Sequence, residues 1–304
     1  MRLRKGSKLK LIGESEARGH VLEIYQDIKQ TLGVPQVNAV FQALAVYPRF
    51  LEAFWSTMRG AAQKPEFFRL ADRVRAEAYT RMHNYFPIPD LCDVIRGRQL
   101  SEGARREITD TVDLYHYIAP LLLMITVAQM AAFENPIGGE VPTGAPAEHP
   151  VFLSRPLLIE EQMATPRIKR VYEDMKTVLG LPALSTGYLA FARYPDFLEN
   201  YWNVLKPIAL SPLYTESQTG MCDTAWALTG EFPVRVETTI PALADAGMSD
   251  DEITAVVRVV ELFVDAFSQL VLNVALAKIG LEGGNGHAAS PPAAPAAGQP
   301  KQAA

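Results

Sequence analysis

A chain of 304 residues with 48% hydrophobic content is long enough to bury a large core in one or two domains. Its charge is ordinary, 21% of residues with a formal net charge of -5, so no global positive field points to nucleic acid. Two cysteines, Cys92 and Cys222, with no CxxC pair and no histidine at ligand spacing, argue against a metal site and for a reducing, cytoplasmic setting.

Residues 1–13 form a basic arm carrying Arg2, Arg4, Lys5, Lys8 and Lys10, with no apolar stretch after it of the kind a signal peptide needs. From Glu16 to Leu32 the residues Ala17, Val21, Ile24, Ile28 and Leu32 recur at steps of three or four, the period of a helix with one buried face. Gly33 suits its C-terminus and Pro35 the start of the next segment. Tyr47-Pro48 marks a break, because a residue preceding proline is pushed out of helical geometry. Long helices are predicted over Glu66 to His83 and again over Thr215 to Thr229. Ser101 and Ser249, each followed by acidic residues, read as N-caps of two further long helices. The run Ile118 to Ala128 is apolar but contains Pro120 and falls short of the roughly 20 residues a bilayer needs, so it reads as a core helix. No stretch alternates with period two, and the class is all-α. Residues 283–304 have the Ala/Pro/Gly composition of a disordered tail.

Comparing the chain with itself is more informative. Residues Tyr25 to Trp55 and Tyr172 to Trp202 are identical at 14 of 31 positions at an offset of 147. The match continues at Phe86-Pro87-Ile88 against Phe232-Pro233-Val234, and at Gly138-Gly139 against Gly283-Gly284. The pattern predicts a helical repeat over 14–139, a linker over 140–158 and a second repeat over 159–282, closing into an intramolecular pseudo-dimer with a site at the interface.

Three places could carry chemistry. On the helix around Tyr115, Pro120 cannot donate to the carbonyl of His116, and Asp113 stands one turn before that histidine, where it could orient the imidazole. The alternative is a half-buried histidine with a purely structural proline. The second place is the turn after the shared Gly-x-Pro, where the copies diverge: Gln36, Asn38 and Ala39 in one, Ser185, Thr186, Gly187 and Tyr188 in the other. The plain reading there is a surface turn whose Asn, Ser and Thr cap helices. The stripe Arg258, Glu261, Asp265 and Ser268 reads as a solvated helix face.

These residues resemble the group I 2-haloacid dehalogenase family. The likeness rests on the doubled Tyr-x-Asp-x-Lys, the Gly-Val/Leu-Pro turn, the Tyr-Pro break, the helix Tyr117 to Thr126 with its internal proline, and the Gly-Gly module ends, and it covers residues 14 to 284. The resemblance implies an α-helical pseudo-dimer that hydrolyses short 2-haloalkanoic acids by direct water attack, with no covalent intermediate and no cofactor. It also implies a carboxylate that activates the water, a polar helper on the kinked helix, and aromatics plus a serine that hold the substrate carboxylate. The helper position falls here on His116, the aromatics on Gln36 and Ala39, and the Ser-Asp pair on Thr186 and Gly187, while Met175 to Pro195 contains no Asp or Glu.

The chain therefore reads as a divergent member without the expected catalytic Asp. His116 backed by Asp113 is the candidate replacement base, with Thr186, Ser185, Gly187, Tyr188, Gln36, Asn38, Ala39 and Tyr117 around the substrate. The ligand is a small carboxylate; no nucleic acid or membrane is expected, and a homodimer is an open option. A different reaction on the same scaffold using His116, or ligand binding without turnover, are the alternatives.

Overall fold

The computed structural model describes residues 9–92, 100–139, 148–152 and 154–286. Most of the basic arm, most of the tail and the start of the linker lie outside the described residues. The helices come in the order α1 (Gly19–Leu32), α2 (Ala39–Leu44), α3 (Pro48–Ala62), α4 (Pro65–Tyr85) and α5 (Glu102–Glu134) in the first half. The second half holds α6 (Pro166–Leu179), α7 (Thr186–Phe191), α8 (Pro195–Ala209), α9 (Pro212–Ala227), α10 (Ile240–Asp245) and α11 (Asp250–Leu281). The described residues contain no strand, and a single antiparallel bridge joins Ile137 to Val236. The all-α expectation holds.

Local chemistry sets the element ends. Pro48, Pro65, Pro166, Pro195 and Pro212 open their helices, where a missing N–H costs nothing. Ser101 accepts a hydrogen bond from the amide of Ala104, and Ser249 forms a capping box with Glu252. Gly33 and Gly180 end α1 and α6 at φ 65° and 67°, the left-handed conformation that a side chain resists. The first helix begins at Gly19 rather than Glu16, because residues 13–17 form a separate turn and Gly19 itself stands at φ +53°.

The same contacts recur 147 residues on. Tyr25 donates to the carbonyl of Ile12 and Tyr172 to that of Ile159. Trp55 donates to Asp27 at 2.7 Å and Trp202 to Asp174 at 2.8 Å. Lys29 pairs with Glu14 and Lys176 with Glu161.

The core is built on α5 and α11, which pack along each other, with α4 against both. By length and composition these two helices could cross a membrane, but 89% and 67% of their apolar windows are buried inside the fold, the position of core helices. The short helices cross over: α2 packs on α11 and α7 packs on α5. The start of α7 is thereby brought to α5 of the first half, where Tyr115 reaches Thr186.

Candidate active site

A cavity of about 20 Å³ opens where the halves meet. Ile28 and Leu32 of α1, the loop Val34 to Asn38, Phe41 of α2, and Leu114, Tyr115, Ile118 and Leu122 of α5 form its walls, and Thr186 of α7 closes it from the second half. The loop is fixed from behind by Glu14, whose carboxylate accepts from the Val37 amide at 3.0 Å and from Lys29 at 2.8 Å and lies 3.3 Å from Arg155. Burial pushes the Glu14 carboxyl up, but the hydrogen bonds from Lys29 and Val37 and the charge of Arg155 outweigh it and hold it below the usual carboxylate range.

Four polar side chains reach this cavity: Gln36, Asn38, Tyr115 and Thr186. Gln36 Nε2 donates to the Tyr115 hydroxyl at 3.0 Å, and that hydroxyl donates to Thr186 Oγ1 at 2.6 Å, so one chain of hydrogen bonds runs from α2's loop across α5 to α7. Burial pushes the Tyr115 hydroxyl above its ordinary value, more than its two partners lower it, so it stays protonated and works as a donor. Gln36 Oε1 is buried without a partner. Among the lining residues there is no Asp, Glu, His, Lys or Arg. Gly187 lies under Tyr115: an ideal Cβ there would stand 3.3 Å from the ring.

The other anticipated residues fall into three groups. Asn38 and Ser185 cap α2 and α7, accepting from the amides of Val40 and Gly187, and Ala39 is the first residue of α2. Tyr117 is buried and donates to the carbonyl of Leu32, behind the cavity wall. Tyr188 belongs to a separate buried cluster on Asn273: Asn273 Nδ2 donates to Tyr188 at 2.8 Å, Tyr214 donates to Asn273 Oδ1 at 2.6 Å, and Tyr201 donates to the Asn273 carbonyl at 2.9 Å. The stripe on α11 is exposed at Arg258, Glu261 and Asp265, while Ser268 is buried and donates to the Asp265 carbonyl.

His116 and Asp113 stand apart from this cavity. Neither lines the cavity, because the face of α5 that does carries Leu114, Tyr115, Ile118 and Leu122, and a neighbouring position is turned by about 100°. Asp113 Oδ1 takes Lys278 at 2.8 Å, and His116 Nε2 is buried without a partner. Burial first, then the charges of Arg75 and Lys278, lower the imidazole to about 4 against the weaker pull of Asp113. The carbonyl freed by Pro120 is not a ligand site either, since Arg75 Nε donates to it at 2.9 Å and the same guanidinium reaches the Tyr117 carbonyl at 3.3 Å. The residue that meets Gly187 is Tyr115, one position away. Its spacing to Ile118 and Leu122 was the signal for it. Asn273, Tyr201 and Tyr214 also lay outside the anticipated set. Their signal was a pattern, because Phe41, Phe54 and Phe67 of the first half each face a tyrosine 147 residues on.

Known proteins agree with this architecture. The family model described as "Halocarboxylic acid dehydrogenase DehI" matches residues 35–188, just over half of the chain. An (R)-2-haloacid dehalogenase of Pseudomonas putida is 29% identical over 272 residues, covering 86% of this chain and 89% of that protein. A second (R)-2-haloacid dehalogenase, from Rhizobium sp. (strain NHG3), is 24% identical over 74% of this chain and 88% of its own length. The solved structure of a D-2-haloacid dehalogenase with L-LA superposes with a TM-score of 0.86 at 28% identity, covering 92% of this chain and 99% of that one. A mutant of a D-2-haloacid dehalogenase solved with D-2-CPA superposes with the same TM-score. The helical fold, the cavity at the junction of its halves and these likenesses define a 2-haloacid dehalogenase-type scaffold. The chain belongs to the 2-haloacid dehalogenase family described by that model.

Proposed function

We propose that the chain takes a short 2-halocarboxylic acid into the cavity between α1, α5 and α7 and hydrolyses it by direct water attack. The observation that carries this reading is the Gln36–Tyr115–Thr186 chain, which sets three hydrogen-bonding groups from both halves around one small, largely apolar space. Convergent polar groups in an apolar surround would bind the polar end of a small ligand once the Tyr115 ring makes room for it.

The water oxygen forms a bond to the 2-carbon as the carbon–halogen bond breaks, and halide leaves with the bonding pair. Attack from the face opposite the leaving group inverts the carbon. The proton shed by the attacking water passes to solvent, because the lining offers no base. General-base assistance is worth about 10²- to 10⁴-fold, and turnover here is slower by that order than with a carboxylate in place.

The test is chloride release from each enantiomer of 2-chloropropionate in ¹⁸O-water. Slow release is expected, with label in the 2-hydroxy acid from the first turnover and inversion at carbon. Gln36→Leu and Thr186→Val should lower it, while His116→Gln should leave it unchanged. The absence of any Asp, Glu, His, Lys or Arg from the lining favours a second reading, ligand binding without turnover. Binding of propionate with chloride release at the uncatalysed rate would select that reading and end the hydrolytic one.

A further inference from the structure

The phenol of Tyr115 stands in the middle of the proposed site, between Gln36 and Thr186. Its ring is buried at 2% exposure and lies against Gly187, and the free volume left beside it is about 20 Å³. A space of that size holds about one water-sized group. Its hydroxyl sits between Gln36 Nε2 and Thr186 Oγ1. Both of those groups can donate, since the amide nitrogen already does so and the threonine hydroxyl carries a proton of its own besides the lone pair that accepts. Two convergent donors are what a carboxylate oxygen requires when no cation is at hand.

We propose that Tyr115 is the specificity-determining residue of this pocket. Its hydroxyl stands in for the acid's polar end and its ring for the acid's substituent, so its bulk limits what the pocket accepts. The inference rests on the proposed site but not on turnover. An acid must either be short enough to share the pocket with the ring or displace it, and Gln36 Oε1, buried and unpartnered beside the ring, is the acceptor left for a ligand hydroxyl or water. Around the ring Leu32, Phe41, Ile118 and Leu122 would line the enlarged space with apolar surface.

Equilibrium binding of unhalogenated acids reads this directly. Calorimetry with acetate, propionate, butyrate and 3-methylbutyrate would be run on the full chain and on Tyr115→Ala, Tyr115→Leu and Tyr115→Phe. One methylene in an apolar pocket changes preference by about 10-fold or more, so the ratio of 3-methylbutyrate to acetate affinity should rise at least about tenfold in Tyr115→Ala. It should rise less in Tyr115→Leu, which keeps most of the packing should the alanine variant fail to fold. In Tyr115→Phe, which keeps the ring, the ratio should stay within about twofold of the parent while all affinities shift together. An unchanged ratio in a folded alanine or leucine variant would overturn the proposal. So would a parent chain that already prefers 3-methylbutyrate. A changed ratio without chloride release from 2-chloropropionate would keep the size role and sink hydrolysis, and no binding of any acid by any variant would sink both.

Discussion

Tyr115 lies against Gly187 so closely that an ideal Cβ on the glycine would stand 3.3 Å from the ring carbons Cγ and Cδ2. The two residues are therefore one unit: the ring is accommodated because position 187 has no side chain. Gly187→Ala should destabilise the fold by about 1–3 kcal/mol through overpacking. The same change in a Tyr115→Leu background should cost clearly less, and urea unfolding of the four proteins gives the coupling. Gly187→Asp combined with Tyr115→Asn would set a carboxylate and a small polar helper at this junction. Chloride release is expected to rise by about 10²- to 10⁴-fold over the parent, and by much less for Gly187→Asp alone, whose side chain meets the ring.

His116 makes stability depend on pH. Its imidazole is lowered to about 4 in the folded chain, below the ordinary 6.5 of the unfolded one. Between those values the unfolded chain binds the proton and the folded chain does not, so stability rises with pH through this window. The contribution is complete above about pH 6.5 and is lost as the pH falls toward 4, an effect of up to about 3 kcal/mol. Unfolding free energies at pH 4.5 and 7.5 should differ less in His116→Gln than in the parent, and an equal difference in both would remove His116 as the cause.

Arg75 serves a backbone made deficient by proline. Because Pro120 cannot donate to the His116 carbonyl, Arg75→Ala leaves a buried acceptor bare and should cost about 1–3 kcal/mol. In a Pro120→Ala background the helix can supply its own amide, and the cost of losing Arg75 should fall. Additive effects in that double-mutant cycle would contradict the account.

Asn273 holds three tyrosines that the first half replaces with phenylalanines. Asn273→Leu removes the partner of Tyr188 and Tyr214 deep in the core, and each buried hydroxyl left bare costs about 1–3 kcal/mol. Adding Tyr188→Phe and Tyr214→Phe to Asn273→Leu should recover much of the loss, measured as midpoint of thermal unfolding. The first half shows that an apolar version of this cluster packs, with Phe41 and Phe54 at 6.2 Å against 6.4 Å for Tyr188 and Tyr201.

The helices were legible in the sequence because their signals are local. Prolines at first positions, serine caps, glycines in left-handed geometry and apolar residues at steps of three or four each act within a few residues. Gln36 and Thr186 drew attention because the copies disagree there, and both stand in the cavity wall. The cavity-lining face of α5 could not be picked out in the sequence, for a reason of rotation. Asp113 and His116 share a face by spacing, but which face meets the cavity is decided by how α5 lies against α4 and α11, and Lys278 and Arg75, which claim those two residues, come from those helices. Chemical conspicuousness also directed the reading. A histidine beside an aspartate draws attention that a tyrosine among leucines does not, although the tyrosine carries the hydrogen-bond chain.

The crossing of the short helices bears on how the molecule comes apart. With α2 lying on α11 and α7 on α5, each long helix borrows part of its cover from the opposite half. Separating the halves would wet the core they share, so neither is a self-sufficient folding unit, and heat or denaturant should take the whole molecule through one shared transition. The cavity at the junction, being made of that handshake, exists only while both partners keep hold.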